Sequence, residues 1–127
     1  QRKLGVIQAL KDYHISPKIY ETTFKHEQAF KDVSQQLERV HDADAIVGAT
    51  DTIAFAIHKY CSDHQQRFYN YSIYGFGGDP MTQIVSPVIQ TVSYNYFEAG
   101  EQALKEINQL LKGEQTALKI KIPIHLN

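Results

Sequence analysis

The sequence predicts an α/β fold, a three-layer sandwich with a parallel sheet between helices. Three observations carry that prediction. Short apolar runs alternate with longer amphipathic stretches, in the order helix, strand, helix, strand, helix, strand, short helix, strand, helix, strand. Residues 45–49, bounded by Asp44 and by Thr50-Asp51, read as a strand buried on both faces, as strands of parallel sheets are. A helix then begins with no intervening turn, because a Thr50 or Asp51 side-chain oxygen can cap its first free N–H groups and a carboxylate suits the positive end of its dipole.

Taken in order, Leu4, Ile7 and Leu10 recur at steps of three with Val6 and Ala9 beside them, which predicts a helix over residues 3–14. A parallel α/β unit normally puts a strand ahead of such a helix, so the expectation is a chain cut downstream of its first strand. Ile15-Ser16-Pro17 breaks the helix. Residues 18–21 then read as a short strand and residues 22–24 as a turn. Phe30, Val33, Leu37 and Val40 mark the buried stripe of a helix over residues 25–40. In the helix after residue 50, Ile53, Ile57, Tyr60 and Cys61 form the sheet-facing stripe. Phe55 falls roughly opposite Ile53, and an aromatic there calls for a second packing surface, because burying a phenylalanine is worth about 1.5 to 3 kcal/mol.

Residues 62–70 are polar and turn-like, and residues 71–76 resume the sheet. Gly77-Gly78-Asp79-Pro80 ends that strand at the edge where open α/β sheets hold ligands, and glycine there permits either a tight turn or close approach to a bound molecule. Residues 81–85 suit a short helix, Ser86-Pro87 stops it, and residues 88–93 form a strand. The last helix has clear ends: Asn95 and Glu98 stand three apart as a capping pair, and Gly113 follows Lys112 as a left-handed stop. Leu118, Ile120, Ile122 and Ile124 alternate with Lys119, Lys121 and Pro123, the pattern of a half-buried final strand.

A chain of 127 residues can hold one domain with a real core. Its formal net charge of −1 and lack of any Lys/Arg run argue against direct nucleic-acid binding by these residues. One cysteine excludes an internal disulfide and fits a cytoplasmic location, and neither a signal peptide nor an apolar run of membrane-spanning length is present. Catalysis finds little support. There is no Gly-x-Ser-x-Gly elbow, no paired carboxylates stand out, and Cys61 sits in an apolar stripe. His58, Cys61 and His64 on one helix end supply too few ligands for zinc, and His41, Asp42 and Asp44 read as a hydrated loop; no metal and no cofactor are expected.

Several stretches, spread over most of the chain, resemble the effector-binding region of the lactose-repressor/galactose-repressor (LacI/GalR) family of bacterial transcription factors. Arg2-Lys3-Leu4-Gly5-Val6-Ile7-Gln8-Ala9-Leu10 is similar to the family's Arg-x-x-Gly-Phe-x-x-Ala-Leu. The strand ending in Thr50-Asp51 matches the family's buried strand ending in Asn-Asp, with Thr50 departing from the usual Asn. Residues 72–78 look like Ser-Val-Val-Gly-Phe-Asp-Asp, except that an acid is replaced by Gly77. Pro87-x-x-x-Thr91-Val92 resembles the stretch that crosses between lobes, and residues 95–100 match the start of the next helix.

The resemblance implies a type I periplasmic-binding-protein-like fold, with residues 1–127 as a fragment of the effector-binding and dimerisation domain. About residues 1–90 would form the carboxyl-terminal lobe, and about residues 91–127 the hinge crossing and elements of the other lobe. The DNA-binding headpiece would be absent. Arg2, Phe24, Thr50, Asp51, Gly77 and Tyr94 would line the ligand cleft; Arg2 would contact sugar hydroxyls and Phe24 would stack on the sugar. Phe55, His58, Lys59, Ile84 and Val85 would form the homodimer interface. The implied function is a sugar-responsive repressor of a carbohydrate operon, with a sucrose-like disaccharide as effector and operator DNA bound through the headpiece. A solute-binding protein of a sugar transporter shares the fold, and an α/β enzyme is a third possibility.

Overall fold

A computed structural model describes residues 1–23, 25–41, 43–65, 70–116 and 119–127. Its elements are α1 (Arg2–Asp12), α2 (His26–Leu37), β1 (Ala45–Val47), α3 (Asp51–Asp63), β2 (Ser72–Gly77), a 3-10 turn (Pro80–Gln83), β3 (Gln90–Tyr94), α4 (Tyr96–Leu111) and β4 (Ile124–Leu126). The sheet runs β1-β2-β3-β4, with β1, β2 and β3 parallel and β4 antiparallel to β3.

The local chemistry of the helix ends is as the sequence predicts. Thr50 is extended and its side-chain oxygen accepts the Ile53 N–H at 3.3 Å, so Thr50 is the cap of α3. Asn95 accepts the Glu98 N–H at 3.1 Å at the start of α4, and Gly113 beyond its end has φ +75. The core forms where α2 and α3 pack on each other and on the sheet: Val33, Leu37 and Val40 meet Ile53, Ile57 and Tyr60, with Ile73 from β2 and Ile89 just ahead of β3. Each large apolar side chain buried here is worth about 1.5 to 3 kcal/mol.

Four expectations need correction. Residues 18–21 form no strand; Ile19 and Tyr20 are nearly half exposed, so no buried face fixes a register, and side-chain bonds from α2 hold the segment and the turn after it. Gln36 Nε2 donates to the Glu21 carbonyl at 2.6 Å, and Thr22 Oγ1 donates to Asp32 at 3.0 Å. Strand β1 is not buried on both faces, because it lies at the end of the sheet order and leaves Val47 46% exposed. The short helix is a single 3-10 turn that begins at Pro80. The last strand starts at Ile124, since Pro123 has no N–H to donate, and it runs antiparallel to its neighbour. Phe24, Asp42 and Leu118 lie outside the described residues.

Helices α1 and α4 contain no buried residue. On α4, Leu104, Ile107, Leu110 and Leu111 are all more than half exposed, and on β4 so are Ile124 and Leu126. An amphipathic helix keeps such a face for a partner layer.

Candidate functional site

The carboxyl ends of β1, β2 and β3 converge on the amino terminus of α3, the edge of an open parallel sheet where ligands bind. Asp51, the first residue of α3, is 4% exposed and turns its carboxylate to the sheet. Thr91 on β3 donates to Oδ1 at 2.6 Å, and the Asp79 backbone N–H donates to Oδ2 at 2.7 Å. Thr91 Oγ1 in turn accepts the Gly78 N–H at 3.2 Å. One buried carboxylate thus fixes the loop after β2 from both sides.

Gly75 and Gly77 make room for that carboxylate. A Cβ at Gly75 would overlap Asp51 Oδ1, and one at Gly77, where φ is +151, would lie 2.8 Å from Oδ2. Gly77 is therefore a backbone presence in the site. Its carbonyl accepts a hydrogen bond of 2.8 Å from the Tyr96 hydroxyl, the first residue of α4.

Arg2 reaches the same edge from α1. It donates through Nη1 to the Ala49 carbonyl at 2.7 Å, and its guanidinium lies over the Phe76 ring, 5.6 Å from the centroid. Arg2 is an exposed residue, and its planar guanidinium carries donors only. Tyr94, at the end of β3, packs its ring 4.5 Å from that of Tyr96. The Tyr94 phenol beside it, helped by partial desolvation and the Asp51 carboxylate, holds the Tyr96 hydroxyl above the ordinary phenol range, while Arg2 pulls the other way.

Arg2, Thr50, Asp51, Gly77 and Tyr94, expected around one cleft, all belong to this edge; Phe24 lies outside the described residues. Of the two candidate caps of α3, Thr50 does the capping, and Asp51, expected to line the cleft, has both oxygens bonded inside the protein. Thr91 and Tyr96 were not anticipated as site residues. The preference of a buried carboxylate for an O–H donor is a signal that could have found Thr91, but no spacing indicates that Tyr96 turns back onto Gly77.

Of the residues expected at a subunit interface, Phe55 is half-buried and lines a groove of about 510 Å³ between α2 and α3 with Phe30, Thr52 and Lys59. Its second packing surface within the chain is therefore α2. Lys59 is exposed, ion-paired to Asp63 at 3.2 Å and poised 5.8 Å from the Phe30 centroid. Ile84 is 73% exposed, and Val85 is half-buried against the core. His58 lines a second cavity of about 230 Å³ with Cys61, Tyr71 and Pro87, and its Nε2 is buried without a partner among the described residues.

Burial pushes the Cys61 thiol up to about 11, the state of a packed thiol rather than a nucleophile. His64 stacks on Tyr60 at 4.2 Å, and its Nδ1 lies 2.8 Å from the Tyr60 carbonyl. Among the described residues no group of three His, Cys, Asp or Glu is arranged to hold a metal ion, and no helix is long and apolar enough to cross a membrane.

No family model matches the chain. Among curated proteins it is 44% identical over 124 residues to the sucrose operon repressor of Staphylococcus xylosus, covering 98% of this chain and 39% of that protein. It is 34% identical over 82 residues to the transcriptional regulator TreR of Salmonella typhimurium, covering 65% of this chain and 25% of that protein. Among solved structures, a dimeric lac repressor with a carboxyl-terminal deletion matches with a TM-score of 0.86 at 19% identity, over 98% of this chain and 47% of that one. The trehalose repressor from Escherichia coli matches with a TM-score of 0.81 at 25% identity, over 99% of this chain and 48% of that one. The chain thus spans well under half the length of the curated relatives and about half of the solved ones. With close sequence kinship along nearly its whole length and the backbone of the effector-binding domains, the chain belongs to the LacI/GalR family of transcriptional regulators, as a fragment of that domain.

Proposed function

We propose that these residues are the sugar-sensing part of a cytoplasmic repressor of a carbohydrate operon, with sucrose as the effector. The observation that carries the reading is the meeting of Arg2, Gly77 and Tyr94 around the buried Asp51, at the carboxyl ends of parallel strands. The kinship with a sucrose operon repressor supports the choice of sugar, and it favours a repressor over a transporter's solute-binding protein or an enzyme.

Arg2 donates to sugar hydroxyls, Tyr94 contributes from the crossing segment, and Thr50 and Asp51 hold the floor of the cleft in place. Phe24 supplies a stacking surface. Residues 1–90 form most of one lobe, and α4 and β4 belong to the other, whose remaining elements cover the exposed Leu104, Ile107, Leu110 and Leu111. Two copies pair through Phe55, His58, Lys59, Ile84 and Val85. Sucrose binds one arrangement of the lobes better than the other, and that differential affinity shifts the dimer's hold on operator DNA through a headpiece outside this chain.

The test is calorimetry of the intact protein with sucrose, alongside operator binding followed by fluorescence anisotropy. Sucrose should bind and change operator affinity, and Arg2→Ala should weaken sucrose binding at least tenfold, about 1.4 kcal/mol. An Arg2→Ala protein that binds sucrose as tightly as the native one would refute the arginine's role. Failure of the intact protein to bind sucrose would refute the effector.

A further inference from the structure

We infer that Asp32 is a positioning residue of the sugar site: it holds residues 22–23 onto α2 and so fixes the segment that leads into Phe24, without touching the effector itself. The inference rests on the sugar-site reading above, in which Arg2 and Phe24 meet the sugar, and goes beyond it by naming what prepares the site.

Helix α2 carries two rows of side chains. Ala29, Val33 and Leu37, four apart, are buried. One position ahead of each, Gln28, Asp32 and Gln36 form a polar row, and that row faces the segment before the helix. Gln36 Nε2 donates to the Glu21 carbonyl at 2.6 Å, and Thr22 Oγ1 donates to Asp32 Oδ2 at 3.0 Å. Gln28 Nε2 donates to the other oxygen of Asp32 at 2.7 Å and braces it from within the helix. The Thr23 backbone N–H is a further donor to the same carboxylate. An ionised carboxylate accepts at both oxygens and can take all of these at once. The bonds, that from Gln28 foremost, hold the Asp32 carboxyl below the usual carboxylate range against partial desolvation, so at neutral pH it is charged and accepting.

The segment has no other regular hold among the described residues, since residues 18–23 join no ladder. Chain without ladder bonds opens at low cost, and a ligand that had to order it would lose affinity in doing so. The place of the segment is what makes its order matter. Glu21 stands 3.9 Å from Lys3 in the first turn of α1, and the neighbour of Lys3 is Arg2, whose guanidinium reaches the Ala49 carbonyl at the ligand edge. On the other side of residue 24, Thr23 Oγ1 accepts the Lys25 N–H at 3.1 Å and leads the chain directly into α2. Asp32 thus closes a ring of bonds through Thr22, Thr23 and Lys25, beside the turn that carries Arg2.

The experiment compares the intact native protein with Asp32→Ala, Thr22→Val and the double variant, by calorimetry with sucrose and by operator binding in the absence of sugar. Each single variant should bind sucrose roughly three- to tenfold more weakly, the size of ordering a side chain or two on binding. The double variant should bind no more weakly than Asp32→Ala, because both changes cut one bond. Operator affinity without sugar should stay at the native value in all three. Native sucrose affinity in Asp32→Ala overturns the inference. So do losses that multiply in the double variant, and so does a parallel fall in sugar-free operator binding, which would make Asp32 a general support of the fold. Thr22→Val leaves Asp32 and Gln28 in place, so it decides alone where Asp32→Ala is too unstable to assay, and native affinity in it overturns the inference equally. Absence of sucrose binding by the native protein is a different failure, because it removes the sugar-site reading itself.

Discussion

Removing the carboxylate of Asp51 should loosen the loop after β2 more than any other change in the site. Asp51→Ala deletes two charge-assisted hydrogen bonds, from Thr91 Oγ1 at 2.6 Å and from the Asp79 N–H at 2.7 Å. Bonds to charged groups contribute roughly 1.5 to 3 kcal/mol each, and the Thr91 hydroxyl, 1% exposed, would be left without its acceptor. The two bonds together come to about 3 to 6 kcal/mol. Hydrogen exchange of the intact protein reads the local share directly, because the Asp79 amide is bonded to this carboxylate and the Gly78 amide to Thr91. Protection of the Asp79 amide should fall roughly ten- to a hundredfold, the equivalent of one charged hydrogen bond. Asp51→Asn keeps the shape and one acceptor oxygen, so it should cost about half as much. Thr91→Val should reproduce the loss at Gly78 while sparing Asp79, and its effect should couple with that of Asp51→Ala by about 1 to 3 kcal/mol in a double-mutant cycle. Unchanged protection at both amides in Asp51→Ala would show that the loop is held by something else.

Three further outcomes follow from the helices. The folded Cys61 thiol is raised to about 11 from an ordinary 9.0, so the unfolded chain loses its proton first and stability should fall as pH rises from about 9 to about 11, an effect absent in Cys61→Ala. The same burial predicts that a disulfide reagent at pH 7.5 labels Cys61 at least about tenfold more slowly in the native protein than in urea, since the smaller thiolate fraction is only partly offset by the greater nucleophilicity of a less acidic thiol. Phe55→Asp places a charge in the α2–α3 groove, and sedimentation of the intact protein should move toward monomer. A dimer of unaltered strength would remove Phe55 from the interface.

The elements that the sequence made legible are those whose signals are local. Thr50 before an apolar stripe, Asn95 three residues ahead of Glu98, and Gly113 after Lys112 are each decided within one helical turn, and the structure has them as caps and stop. The packing of α2 on α3 was legible for the same reason, since Val33, Leu37, Ile53 and Ile57 repeat at helical spacing. Strand assignments failed where pairing, and not pattern, decides. Residues 18–21 have strand-like composition but join no ladder among the described residues, and the alternation of residues 118–124 hides that Pro123 has no N–H to give to a ladder.

The site divides along the same line. The family resemblance pointed to residues near the strand ends, and the parallel pairing of β1, β2 and β3 brings their carboxyl ends to one edge. What each residue does there could not be read in advance, because roles are settled by partners far away in sequence: Asp51 with Thr91, Gly77 with Tyr96, Arg2 with Ala49. Asp51 shows the consequence. An acid at a helix start reads as a cap or as a ligand contact, yet with a threonine one residue earlier to do the capping, its carboxylate is released to tie β3 and the loop after β2 to α3. The glycines at 75 and 77 are then the space that this inward carboxylate needs. A side chain at Gly77 would therefore have to displace Asp51 first, which makes the buried carboxylate the group that limits which side chains this edge of the sheet can hold.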